Sequence, residues 1–189
     1  MKKYLNVSIP ERHPAVAVAC AFMVLAVLIR LSYYLPKAME PAFALVHLWM
    51  PVAAGICFLA GVALGGRWAK PAVLTALALG VAFFILKAMD FTPIHQTLCT
   101  ILYLTVLSLF GATVLGYVPT KKLLYPLFGL PLLYHIFVED TKAYFFANPP
   151  VPVVDWLPEI SVLCIMAGLL CLSIGLEVKP IEWKKQTGI

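Results

Sequence analysis

Charge is scarce in this chain: Asp, Glu, Lys and Arg supply 12% of its 189 residues, while hydrophobic residues supply 62%. Soluble domains carry about a quarter charged and about half apolar residues. So little charge cannot cover a water-facing surface, which excludes an ordinary soluble domain. A basic stripe able to track phosphates is also missing. The basic residues stand singly or in pairs between apolar runs, so the net charge of +5 does not point to nucleic acid. No C-x-x-C pair occurs, and Cys20, Cys57, Cys99, Cys164 and Cys171 all fall inside apolar runs. They read as small packing residues, not as a disulfide framework or a thiol zinc site.

A third scarcity is positional. The centres of the long apolar runs contain no Asp, Glu, Lys, Arg or His. Ionisable groups within a bilayer mark proton relays and ion pathways. Their absence disfavours a proton-driven transporter, and it disfavours intramembrane aspartyl or metalloprotease chemistry on the same ground.

What the chain does have is length of apolar sequence. A spanning helix needs about 20 mostly apolar residues, and six runs meet or approach this: 14–35, 41–65, 71–89, 93–117, 122–139 and 156–177. The expected fold is an all-α integral membrane protein, a bundle of six transmembrane helices with no soluble domain. Pro14, Pro41, Pro71, Pro93 and Pro158 sit at or near predicted starts, where the missing N–H costs nothing. Asp155 is a candidate N-cap for the sixth helix. The first run, Pro14 to Leu35, is about 22 residues, longer than the roughly 7–15 of a signal h-region, and is expected to remain as a helix. The longest connection, 140–154, ends in Asn148-Pro149-Pro150-Val151-Pro152 and reads as extended or turn-rich.

Orientation follows from Lys and Arg, which concentrate in cytoplasmic connections. One side holds Lys2, Lys3, Arg12, Arg67, Lys70, Lys121, Lys122, Lys179, Lys184 and Lys185; the other holds only Arg30, Lys37, Lys87 and Lys142. Both termini are therefore expected inside, and brevity with this bias suggests a bacterial plasma membrane.

Four features bear on function. Pro126, Gly129 and Pro131 interrupt helix five, which is expected to kink or break there because Pro removes an intrahelical bond. Broken helices expose backbone to solutes in transporters, although neighbours re-satisfy such breaks in ordinary membrane helices. Pro51 interrupts helix two in the same way, with His47 four residues before it, as His135 lies four after Pro131.

The second feature is an outer polar layer: Arg30, His47, Lys87, Asp90, His95, His135, Glu139, Asp140 and Glu159. Converging, these residues would form an outward-open cup. His47, His95, His135 and Glu139 are then the candidates for a transition metal, His135 and Glu139 sharing one face at i, i+4. Arg30 or Lys87 would instead meet an anionic group. No metalloenzyme signature accompanies these residues, so no cofactor is expected. Each also lies near a helix end, where charged groups snorkel into headgroups.

Third, Tyr103, Thr105, Ser108, Ser161 and Ser173 are hydroxyls inside the helices, expected to bond their own backbone. Fourth, small residues recur at helical spacing: Ala15 with Ala19, Ala17 with Ala21, Gly61 with Gly65, and Gly168 with Gly175. Such pairs let helices approach closely. The Ala15/Ala19 face of helix one is a candidate surface for a partner subunit.

In helix number, size, orientation and these alanine pairs, the chain is similar to the substrate-binding subunits of energy-coupling-factor vitamin transporters. No binding-site motif of that family is present. The resemblance implies a non-enzymatic solute-binding or accessory subunit that depends on a partner for energy. Two other readings remain: an enzyme acting on lipid or envelope precursors through a His/carboxylate pair at the outer leaflet, and a scaffold with no small-molecule site.

Overall fold

The computed structural model describes residues 4–10, 12–89, 94–118, 120–134 and 152–181. The chain is predominantly helical, and two short strands flank the helices. Helix α1 covers Pro14–Tyr34, with Pro14 in the first turn and His13 at the N-cap, where its Nδ1 accepts the Ala15 N–H at 3.1 Å. Helices α2 (Pro41–Ala44) and α3 (Met50–Leu64) are joined by a π-helical turn, Leu45–Trp49, into one continuous run. Helix α4 covers Gly66–Met89, α5 Ile94–Leu115, α6 Leu124–Tyr134 and α7 Leu157–Gly175.

Among the described residues, four helical runs are long and apolar enough to cross a membrane: Pro14–Lys37, Pro41–Leu64, Gly66–Leu86 and Leu157–Gly175. Thr100–Leu115 is a shorter apolar helix. Large apolar side chains such as Leu28, Ile56, Leu64 and Ile101 lie exposed on the outside. A surface of that kind is costly in water and compatible with lipid.

Close helix approach organises the interior. Helix α1 lies against α7 and α3, α3 against α4, α4 against α5, and α6 against both α5 and α7. Glycine makes two of these contacts possible. A Cβ built on Gly61 would stand 2.2 Å from the Ala72 Cβ, and one on Gly168 would stand 3.2 Å from the Ala19 carbonyl oxygen. Without a hydrophobic force between helices in lipid, such backbone proximity carries much of the association. Phe58, Phe110 and Phe128 fill the space that remains.

Several expectations are corrected. Helix α4 starts at Gly66, five residues before Pro71. Gly65 and Gly66 both have positive φ, turning the chain sharply, and the Gly65 carbonyl accepts the Trp68 and Ala69 N–H groups. Pro71 is thus inside the helix, one turn in. Helix α6 is unbroken at Pro126 and Pro131 as far as Tyr134; Pro126 stands in the first turn, where its N–H would have no intrahelical acceptor. A 3₁₀ turn, Val153–Trp156, contains Asp155, so Trp156 and not Asp155 holds the cap position of α7. Ala19 is fully buried against α7, so the Ala15/Ala19 face is used inside the bundle; the outward alanines of α1 are Ala17 and Ala21.

A two-stranded sheet accompanies the helices, which the apolar runs alone do not predict. Strands β1 (Leu5–Ser8) and β2 (Glu177–Pro180) pair antiparallel, with Leu5 opposite Pro180 and Ser8 opposite Glu177. Leu5, Val7 and Ile9 alternate inward while Asn6 and Ser8 face out, the period of a half-buried strand. The Tyr4 and Leu5 N–H groups donate to the Gly116 carbonyl at 2.8 and 3.1 Å. The segments before α1 and after α7 therefore meet the end of α5 at one end of the bundle. Lys121 sits there too: its Nζ donates to the Ile174 and Leu176 carbonyls at 2.8 and 2.6 Å, and burial pushes its pKa below the ordinary value.

Candidate functional site

At the opposite end of the bundle from the strands, Arg30 lies in the last turns of α1. It does not snorkel outward; it is 3% exposed. Its guanidinium carbon stands 5.2 Å from the Tyr34 ring centroid and 5.6 Å from that of Phe83, both within cation–π reach. The Glu159 carboxylate in the first turn of α7 acts on it electrostatically. Nη1 donates to the His47 carbonyl at 3.4 Å.

That carbonyl departs from the regular helical pattern for a reason written in the sequence. In a regular helix the His47 C=O accepts from residue 51, four positions on. Residue 51 is Pro, which has no N–H to give. The same stretch opens into the π turn Leu45–Trp49, in which the Met50 N–H reaches back to the Leu45 carbonyl. Such turns recur at functional sites. The spacing of His47 and Pro51 therefore matters through the backbone carbonyl of His47. Its imidazole ring stacks on Tyr34 at 5.8 Å and meets Phe43 at 4.5 Å, completing an aromatic collar beside Arg30.

From Arg30 a crevice of about 60 Å³ runs into the bundle between α1, α3, α4 and α7. Its walls are apolar, among them Met23, Phe58, Leu77, Gly80 and Met166. Among the described residues the Arg30 Nε is buried without a hydrogen-bond partner. The site thus joins one desolvated cation to a narrow apolar slot.

The remaining members of the expected cup divide as follows. Arg30 and His47 come together, and Glu159 acts on Arg30 electrostatically. Lys87 lies on the last turn of α4 and His95 at the start of α5 by backbone. Asp90, His135, Glu139 and Asp140 lie outside the described residues, as does most of the 140–154 connection. Among the described residues no group of three His, Cys, Asp or Glu could hold a metal ion. The helix hydroxyls of Thr105, Ser161 and Ser173 donate to carbonyls of their own helices at 2.8, 2.6 and 2.7 Å. Tyr34, Phe43 and Phe83 were not expected at the site; aromatic residues beside a membrane-end Arg are the signal that would have found them. At the strand end, Ser8, Arg12, Arg67 and Lys70 border a separate open groove.

Comparison with known proteins returns no matching family model, no similar curated protein and no similar solved structure.

Proposed function

We propose that this chain is a plasma-membrane protein with six spans and both termini in the cytoplasm, serving as a non-enzymatic binding or accessory subunit for an anionic solute. The observation that carries the binding role is Arg30: a guanidinium taken out of solvent, ringed by Tyr34, Phe83 and the His47 carbonyl, and bordering an apolar crevice. A buried cation is expensive and is retained where something anionic meets it. Glu159 offsets part of the charge. The pairing of β1 with β2 supports an even number of crossings, because it ties the N-terminal and C-terminal segments to one end. The basic residues Arg12, Arg67, Lys70, Lys121 and Lys179 gather at that end, which supports its placement in the cytoplasm.

Topology is checked by fusing reporters to the C-terminus. A cytoplasm-dependent fluorescent reporter is expected to be bright and a periplasm-dependent phosphatase inactive; an active phosphatase overturns the orientation. The binding role is checked by native mass spectrometry of protein extracted in mild detergent. A bound small anion is expected in the parent and is expected to fall at least tenfold in Arg30→Gln. Adduct-free parent protein, or an adduct indifferent to Arg30, rejects the reading.

A further inference from the structure

We infer that the Arg30 site takes a single-chain anionic amphiphile, with the acidic head on the guanidinium and the alkyl tail in the crevice. This rests on the binding role proposed above and names its ligand class. Two halves of the site ask for different chemistry. The Arg30 Nε is buried with no partner among the described residues, and leaving a buried charged donor unpaired is costly. An acidic oxygen is the acceptor that best relieves it.

Water is a poor substitute deeper in. An ordered water needs two to four polar partners, whereas apolar cavities stay dry and take up hydrocarbon. Beyond Arg30 the walls are side chains such as Met23, Ala54, Phe58, Leu77 and Leu169. The lining runs from Met23 to Arg30 along α1 and from Val73 to Phe84 along α4, which at 1.5 Å per residue is about 10–16 Å of axial length. A volume of about 60 Å³ spread over that length is a slot and not a chamber. At about 60 Å³ the slot must widen to admit an alkyl tail, which the flexible Met23 and Met166 side chains on its walls permit; an unbranched chain needs the least opening, a ring system or a bulky polar solute more. The collar of Tyr34, Phe43 and His47 flanks the cationic end.

The test uses the full chain in a neutral detergent, with decanoate as the probe and native mass spectrometry as the readout. One decanoate per chain is expected to bind saturably. Decanol, with the same tail and no charge, is expected to bind at least tenfold more weakly. Arg30→Gln removes the cation, and Gly80→Leu fills the slot while leaving Arg30 in place; each is expected to weaken decanoate at least tenfold. Gly80 is suited to this because, among the described residues, its Cβ would meet only the flexible Leu107 Cδ1, at 3.4 Å. Lysophosphatidylglycerol, with one acyl chain, showing the same dependence on Arg30 and Gly80 with decanoate inactive would support the chemistry and make a membrane lipid its source, whereas two-chain phosphatidylglycerol binding with both single-chain probes inactive would overturn it. Equal binding of decanol, or decanoate binding that ignores both substitutions, overturns the inference. Arg30-dependent binding of glutarate with neither amphiphile bound would also overturn it, while leaving the anion-binding role standing.

Discussion

Gly61→Ala is expected to destabilise the protein by about 2 kcal/mol, within the ~1–3 kcal/mol typical of overpacking, and Ala72→Gly in the same chain is expected to recover most of that loss. The single methyl group would lie 2.2 Å from the Ala72 Cβ, closer than two carbons can stand. Neither atom belongs to a flexible side chain, so α3 and α4 must part. Parting them also loosens Phe58 and Val73, both buried in the same core. With Ala72 reduced to Gly, the nearest remaining atoms are the Ala69 carbonyl oxygen at 3.4 Å and the residue 72 Cα at 3.5 Å, which is tolerable. Ala72→Gly alone costs only about 1 kcal/mol of helix propensity. The two substitutions therefore couple with opposite sign, as contacting residues do. Thermal unfolding in detergent measures all four states of this cycle. Gly129→Ala is the control, because among the described residues nothing beyond its own helix lies within 4 Å of its added Cβ. Additive losses in the double variant would sink the packing argument.

Gly61 also shows where the sequence was readable. The apolar runs placed α1, the Pro41–Leu64 run and α7 to within a residue or two, because desolvation of a long apolar segment leaves the helix as the solution that pairs its own backbone. The small-residue spacing at Gly61 and Gly168 marked close contacts correctly, but sequence cannot say which helix faces which; that Ala19 meets Gly168 of α7 is visible only in the fold. The start of α4 was missed because Arg67, Trp68 and Lys70 break the apolar run without breaking the helix, and the Gly65–Gly66 turn lies before them. Strand β1 carried its signal in the alternation of Leu5, Val7 and Ile9, but its partner lies at the far end of the chain, beyond any local pattern. At the site, Arg30 and His47 were visible as polar residues near helix ends. Their connection was not, because it runs through a backbone carbonyl whose regular helical donor position is taken by Pro51.

Lys121→Met is expected to lower stability by about 1.5–3 kcal/mol, the value of a hydrogen bond to a charged group, while Lys122→Met is expected to stay within about 0.5 kcal/mol, as surface changes do. In the sequence the two lysines are indistinguishable, a doublet in a basic connection. In the fold Lys122 is exposed, whereas the Lys121 Nζ closes on the Ile174 and Leu176 carbonyls at 2.8 and 2.6 Å. Those carbonyls belong to the last turn of α7, where four C=O groups lack intrahelical donors and the dipole favours a cation. Met keeps the stem length and apolar contact but donates nothing, so both carbonyls lose their donor just before β2. The damage should spread from there, because β2 holds β1, and β1 holds Gly116 at the end of α5. Faster amide exchange in Leu5–Ser8 and Glu177–Pro180 of Lys121→Met, with helix interiors unchanged, is the expected pattern. Lys121→Arg should restore part of the stability by supplying donors of its own. Equal effects of the two methionine substitutions would reduce Lys121 to another member of the basic cluster at that end of the bundle; unequal ones make it the latch that fastens the C-terminal strand to the bundle.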